Sequence, residues 1–120
     1  MTREYSIEAV DLLIKDVETS ATVWRGRFED TAVYKIIPLP SDAGCLVLLD
    51  PGGSKRASFE NLFLVDPVGK VRWKAELPQG GQAFTDVFLA PNGVEASTWY
   101  GIRVSADLDS GCTKKIGFGK

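Results

Sequence analysis

The stretch Asn61-Leu-Phe-Leu-Val-Asp-Pro-Val-Gly-Lys-Val-Arg-Trp73 decides the fold reading. Its first half is a short run of branched and aromatic residues, the types that fit a pleated surface. Asp66-Pro67-Val68-Gly69 then supplies a turn, because Asp bonds nearby backbone amides and glycine takes up conformations other residues avoid. Beyond the turn, Val71, Trp73, Ala75 and Leu77 fall on one face and Arg72, Lys74 and Glu76 on the other. That period of two is the mark of a strand with one wet side.

Working outward, the same punctuation recurs at Asp50-Pro51-Gly52-Gly53, Gln79-Gly80-Gly81, Pro91-Asn92-Gly93 and Asp109-Ser110-Gly111, with apolar or alternating runs between. Towards the N-terminus, Ala21, Val23 and Arg25 alternate with Thr22, Trp24 and Gly26, and Thr31–Ile37 is rich in branched residues. Two strands joined near Glu29-Asp30 are expected, the second stopped by Pro38 and Pro40, since proline cannot donate to a ladder. Residues 6–17 place Ile7, Val10, Leu13, Ile14 and Val17 on one helical stripe, with Ser6 as N-cap and Glu8 in the first turn. An amphipathic helix is the reading there, and a strand competes with it. The expected fold is a single mainly β domain over residues 1–120, α+β if the helix is real, built from antiparallel hairpins with the helix on a sheet face or edge.

Sliding the chain against itself by about 41 residues brings Leu46–Leu49 onto Val87–Ala90, Gly52 onto Gly93 and Asp66 onto Asp107, with Gly69 near Gly111. This period is in the range of propeller blades. It divides the chain into residues 1–33, helix plus strands, and two repeat units, 34–73 and 73–116.

The stretch Asn61–Trp73 resembles the blade repeat of quinoprotein-type (PQQ-like) β-propellers, an apolar strand followed by Asp, a turn, Gly-Lys and Trp. Ser97–Gly111 is similar to a following blade, and the pair is similar to small uncharacterised bacterial proteins of about this length. The resemblance implies that Asp66, Gly69, Trp73, Asp107 and Gly111 are scaffold, with the Trp packed between neighbouring blades. Lys115 and Ile116 stand where the second copy needs its tryptophan, a loss that a terminal unit tolerates. The quinone cofactor of that family sits on the axis of a full ring, and rings need about four to eight blades, so two units imply no cofactor. Two such sheets alone expose edges and apolar faces, which either the N-terminal residues or another subunit must cover.

Composition removes several chemistries. The 120 residues contain no histidine, so Ser-His-Asp and Cys-His nucleophiles, HExxH zinc sites and histidine pH switches are excluded within one chain. Fourteen basic against 16 acidic residues give a net charge of −2, which offers no footprint for nucleic acid. The N-terminus spreads charge where a signal peptide needs an apolar core, and the longest strongly hydrophobic run is Cys45–Leu49, so a cytoplasmic protein with no membrane partner is expected. Cys45 and Cys112 lack CxxC spacing and read as reduced thiols, a disulfide or a reactive thiol being the lesser readings.

Candidate sites follow from residue type. Trp99, Tyr100 and Arg103 bring together types that stack on planar ligands and dominate binding hot spots; they are the expected ligand-binding residues, with Trp99 itself expected in the core. Trp24, Arg25 and Arg27 form a second such cluster. Asp107-Leu-Asp109-Ser-Gly111 begins like a calcium loop, but Phe118 stands where the bidentate Glu belongs, so a turn is favoured and no metal is expected. Gly52-Gly53-Ser54-Lys55-Arg56 suits an anion by composition but lacks phosphate-loop spacing. Glu29, Asp30, Glu60, Asp86 and Glu95 are scattered acids with no spacing that predicts a catalytic pair, and Asp11 falls off the helical stripe. The functional expectation is a non-catalytic binding or assembly module forming a homo-oligomer, then a small-molecule binder with an aromatic and arginine-lined cleft, then a carboxylate enzyme.

Overall fold

Alternating and branched runs become eleven strands among the residues that the computed structural model describes, 2–53, 58–78, 82–91 and 93–118. The fold is mainly β, in three antiparallel sheets that follow one another along the chain. The first holds β1 (Arg3–Glu8), β2 (Asp11–Asp16) and β3 (Thr22–Gly26). The second holds β4 (Val33–Pro38), β5 (Cys45–Leu49), β6 (Leu62–Val65) and β7 (Val71–Lys74). The third holds β8 (Phe84–Ala90), β9 (Gly93–Thr98), β10 (Ile102–Ala106) and β11 (Thr113–Phe118). Ser54–Arg56 of the expected anion loop, the turn at Gln79–Gly81 and Asn92 lie outside the described residues.

No helix forms over residues 6–17; they belong to the β1–β2 hairpin, in which Tyr5 faces Ile14 and Ile7 faces Leu12. The reason lies in what must be covered. A helix would leave Leu12 off its apolar stripe, whereas the hairpin buries Leu12 and Ile14 completely against the second sheet and leaves Ile7, Val10 and Val17 exposed. The join at Glu29-Asp30 exists, both residues at positive φ, but it carries the chain from the first sheet to the second rather than closing a hairpin.

The sheets stack face to face. Leu12 and Ile14 meet Cys45, Val47, Leu49, Phe63 and Val65 in one core. Leu46, Leu48, Leu62 and Leu64, on the other face of the same middle strands, meet Phe84, Val87, Val94, Ala96, Val104 and Ala106 in the second. This explains the unbroken apolar run of β5, which has no wet side. Each such side chain contributes roughly 1.5–3 kcal/mol on burial.

The three sheets repeat one device. Asp16, Asp66 and Asp107 each end a strand, and each aims Oδ1 at amides of its own turn: Glu18 and Thr19, Val68 and Lys70, Asp109 and Ser110. Trp24 on β3 lies over Gly69 in the second sheet, and Trp73 on β7 lies over Gly111 in the third. Trp73 also donates Nε1–H to the carbonyl of Leu108 at 2.8 Å. The Asp turn therefore occurs three times, once more than the sequence suggests, and the Trp–Gly contact twice.

Pairing also corrects the alignment of the two units. Leu46–Leu49 of β5 corresponds to Glu95–Thr98 of β9, not to Val87–Ala90, because β8 takes the place of β4 in its sheet. The tryptophan position of the third sheet falls on Lys114, which pairs with Ser105 as Trp73 pairs with Leu64. Further polar ties cross the second interface. Lys35 donates to Asp86 at 2.7 Å and to the carbonyl of Val87, and buried Asn61 donates to the carbonyls of Leu49 and Phe84 while accepting from the Phe84 amide.

Candidate functional site

The site is the outward face of the third sheet, defined by what it lacks. In the first sheet Tyr5, Ile7, Leu12 and Ile14 face the next sheet; in the second, Leu46, Leu48, Leu62 and Leu64 do so. The same register positions in the third sheet are Glu95, Ser97, Arg103 and Ser105. Polar side chains, two of them short serines, replace leucine, and no fourth sheet covers them among the described residues. At the other end of the stack, Glu4, Ser6, Glu8, Asp11 and Lys15 hold outward positions around the apolar Leu13, with Arg25 and Arg27 both paired to Asp11. Polar end faces terminate a stack of repeats.

The small residues leave a groove of about 540 Å³ beside β9–β11, whose polar lining includes Glu95, Ser105, Asp107, Cys112, Thr113 and Lys114. Ile116 lies along it, and Phe88 stands exposed opposite Glu95. Glu95 accepts from Arg103 at 2.6 Å, an ion pair on strands that are neighbours in register. A second, more apolar hollow of about 270 Å³ lies between Leu39, Pro40, Leu89 and Leu108.

The expected ligand-binding residues sit beside this face. Trp99 and Tyr100 form the β9–β10 turn and are 54% and 64% exposed. Trp99 is not a core residue, because the turn lifts it off the sheet. Arg103 is on the face itself, engaged by Glu95. None of the three lines the 540 Å³ groove, which reaches the β10–β11 turn at the opposite end of the sheet from Trp99 and Tyr100. The sequence reading missed Ser97 and Ser105; the signal available was serine at strand positions where the preceding unit has leucine.

The other candidates have structural partners. Trp24 is stacked on Phe28 at 5.2 Å, with Phe28 edge-on to Phe63. Asp107 is turned into its own turn. Glu29 pairs with Lys74, and Asp86 with Lys35. The Lys35 hydrogen bond holds the Asp86 carboxyl below its usual range, which keeps it ionised and unable to give a proton. Asp16 is lowered as well, chiefly by the Thr19 amide. Burial pushes the Cys45 thiol up to about 12, away from the thiolate a nucleophile needs. Cys45 is buried in the first core and Cys112 exposed, and both are free. Among the described residues no cluster of three acids or thiols could hold a metal ion, and no helix is long and apolar enough to cross a membrane.

No protein-family model matches this chain, and no curated protein or solved structure shows significant similarity to it.

Proposed function

We propose that this chain is a non-catalytic binding module that presents the outward face of β8–β11 to a small polar ligand. The observation that carries the reading is the replacement of four leucine positions by Glu95, Ser97, Arg103 and Ser105 beside the groove. Hydroxyls, a carboxylate and a guanidinium left partly exposed on a rigid sheet can orient a polar molecule, and Trp99 and Tyr100 at its rim supply planar surfaces.

The test is a thermal-shift screen of metabolites followed by amide chemical-shift mapping. A binder raises the melting temperature by mass action and moves the amides of Glu95, Ser105 and Lys114. Ser105→Trp, which fills the groove, removes the response. A ligand whose shifts fall on the first sheet refutes the reading.

A second reading, assembly into a homo-oligomer through the same face, draws support from exposed Phe88 and Ile116 there. Light scattering at two concentrations separates it from the first. The free thiols of Cys45 and Cys112 support a reducing, cytoplasmic setting. The repeated Asp, Gly and Trp device supports kinship with propeller-blade repeats.

A further inference from the structure

We propose that the free edge of β1 takes up an extended peptide of a partner protein as a fourth strand, antiparallel to β1, with a large apolar residue opposite Tyr5 and an acidic one opposite Ile7. The second and third sheets begin with an edge strand, β4 on β5 and β8 on β9. The first sheet begins at β1, which by register matches β5 and β9 and, among the described residues, pairs only with β2. No described residue fills there the position that β4 and β8 take.

The backbone at this edge is in hydrogen-bonding phase. Val17 donates to the carbonyl of Thr2, so in the antiparallel ladder the even residues of β1 bond β2 and the odd ones point away. The outward amide of Arg3 is taken by Asp42, but those of Tyr5 and Ile7 have no partner among the described residues. Ile7 is 37% exposed, where its counterpart Leu48, beside β4, is fully buried. An unpaired edge flanked by exposed apolar surface suits strand addition.

The filled positions dictate the occupant. Opposite the counterparts of Tyr5 stand Ile37 and Phe88, both large and apolar. Opposite the counterparts of Ile7 stand Lys35 and Asp86, which pair with each other across the sheets. An acidic residue in the slot extends this order as acid, Lys35, Asp86.

The probe is a fluorescein-labelled peptide with the sequence of residues 84–90, Phe-Thr-Asp-Val-Phe-Leu-Ala, which carries the acidic and apolar residues at the required spacing. Saturable anisotropy is expected, with at least tenfold slower hydrogen exchange at the Tyr5 and Ile7 amides. Replacing the peptide's Asp by Lys should weaken binding at least tenfold. Ile7→Pro removes an edge donor without touching the β2 ladder and should abolish binding; Ile7→Glu, which sets a like charge opposite the peptide's Asp, serves if the proline variant melts early. No binding, protection confined to β8–β11, or unchanged affinity in a folded Ile7 variant overturns the proposal. Protection of Tyr5 and Ile7 that rises with protein concentration alone also overturns it, by assigning the slot to a second copy.

Discussion

The indole of Trp73 lies so close over Gly111 that a Cβ on that glycine would sit 2.6 Å from the ring. Trp24 stands over Gly69 in the same way, at 2.4 Å. Each tryptophan belongs to one sheet and each glycine to the next, so the pairs latch the stack. At the ends the latch is discontinued: Ser20 occupies the glycine position of the first sheet and Lys114 the tryptophan position of the third.

Gly111→Ala forces a methyl into the Trp73 ring and onto a residue at φ +77°. Overpacking and left-handed strain together should cost about 2–4 kcal/mol. Gly52→Ala, whose Cβ would meet only Asp50 Oδ1 at 3.5 Å, should stay within about 0.5 kcal/mol. Urea unfolding followed by tryptophan fluorescence measures both, and equal costs would deny the latch.

Ser20 holds φ +60° with no neighbouring indole of a preceding sheet. Ser20→Gly relieves the strain without opening a cavity, so it should stabilise by about 0.5–1 kcal/mol, less the extra entropy glycine brings to the unfolded chain. A higher denaturant midpoint at unchanged slope is the expected reading. This is the opposite sign to the Gly111 substitution at the matching position.

The turns, the β texture and the second and third Asp devices were legible because they rest on residue types with local mechanisms. The first device was not, since Ser20 replaces its glycine and no Asn-Gly marks the β1–β2 turn, where Ala9 takes φ +57°. Ile7, Val10, Leu13, Ile14 and Val17 also happen to fall at helical spacing, while the period of two that governs is carried by Tyr5 and Ile7 against Ile14 and Leu12, a cross-strand relation. The spacing of Asp16 from Trp24, near that of Asp66 from Trp73, was the available clue. Arg103 was found because its type is suggestive; Ser97 and Ser105 gain meaning only once register equates them with leucines.

Asn61 makes three hydrogen bonds in a fully buried position. Asn61→Ala leaves the Phe84 amide and two carbonyls unsatisfied between the second and third sheets, and each such group costs about 1–3 kcal/mol. A total loss of about 3 kcal/mol or more is expected, with faster exchange of the Phe84 amide. Exchange in β1–β3 should change less, since the first interface does not share those bonds.

Cys45 and Tyr5 fix the alkaline limit of the fold. Burial is the first cause in both cases, raising the Cys45 thiol from 9.0 to about 12 and the Tyr5 hydroxyl from 10.0 to about 12. A group that holds its proton more tightly when folded costs nothing below its unfolded pKa, where both states are protonated. Above that pKa the unfolded chain ionises first, so stability falls as pH rises towards 12, at up to about 1.4 kcal/mol per pH unit for the thiol. Unfolding free energy should therefore decline from about pH 9, and Cys45→Ala should delay the onset to about pH 10, where Tyr5 takes over. Thiol labelling at pH 8 should modify Cys112 at once and Cys45 only on unfolding; a Cys45 that reacts as fast as Cys112 in the folded protein would contradict both its burial and the pH course.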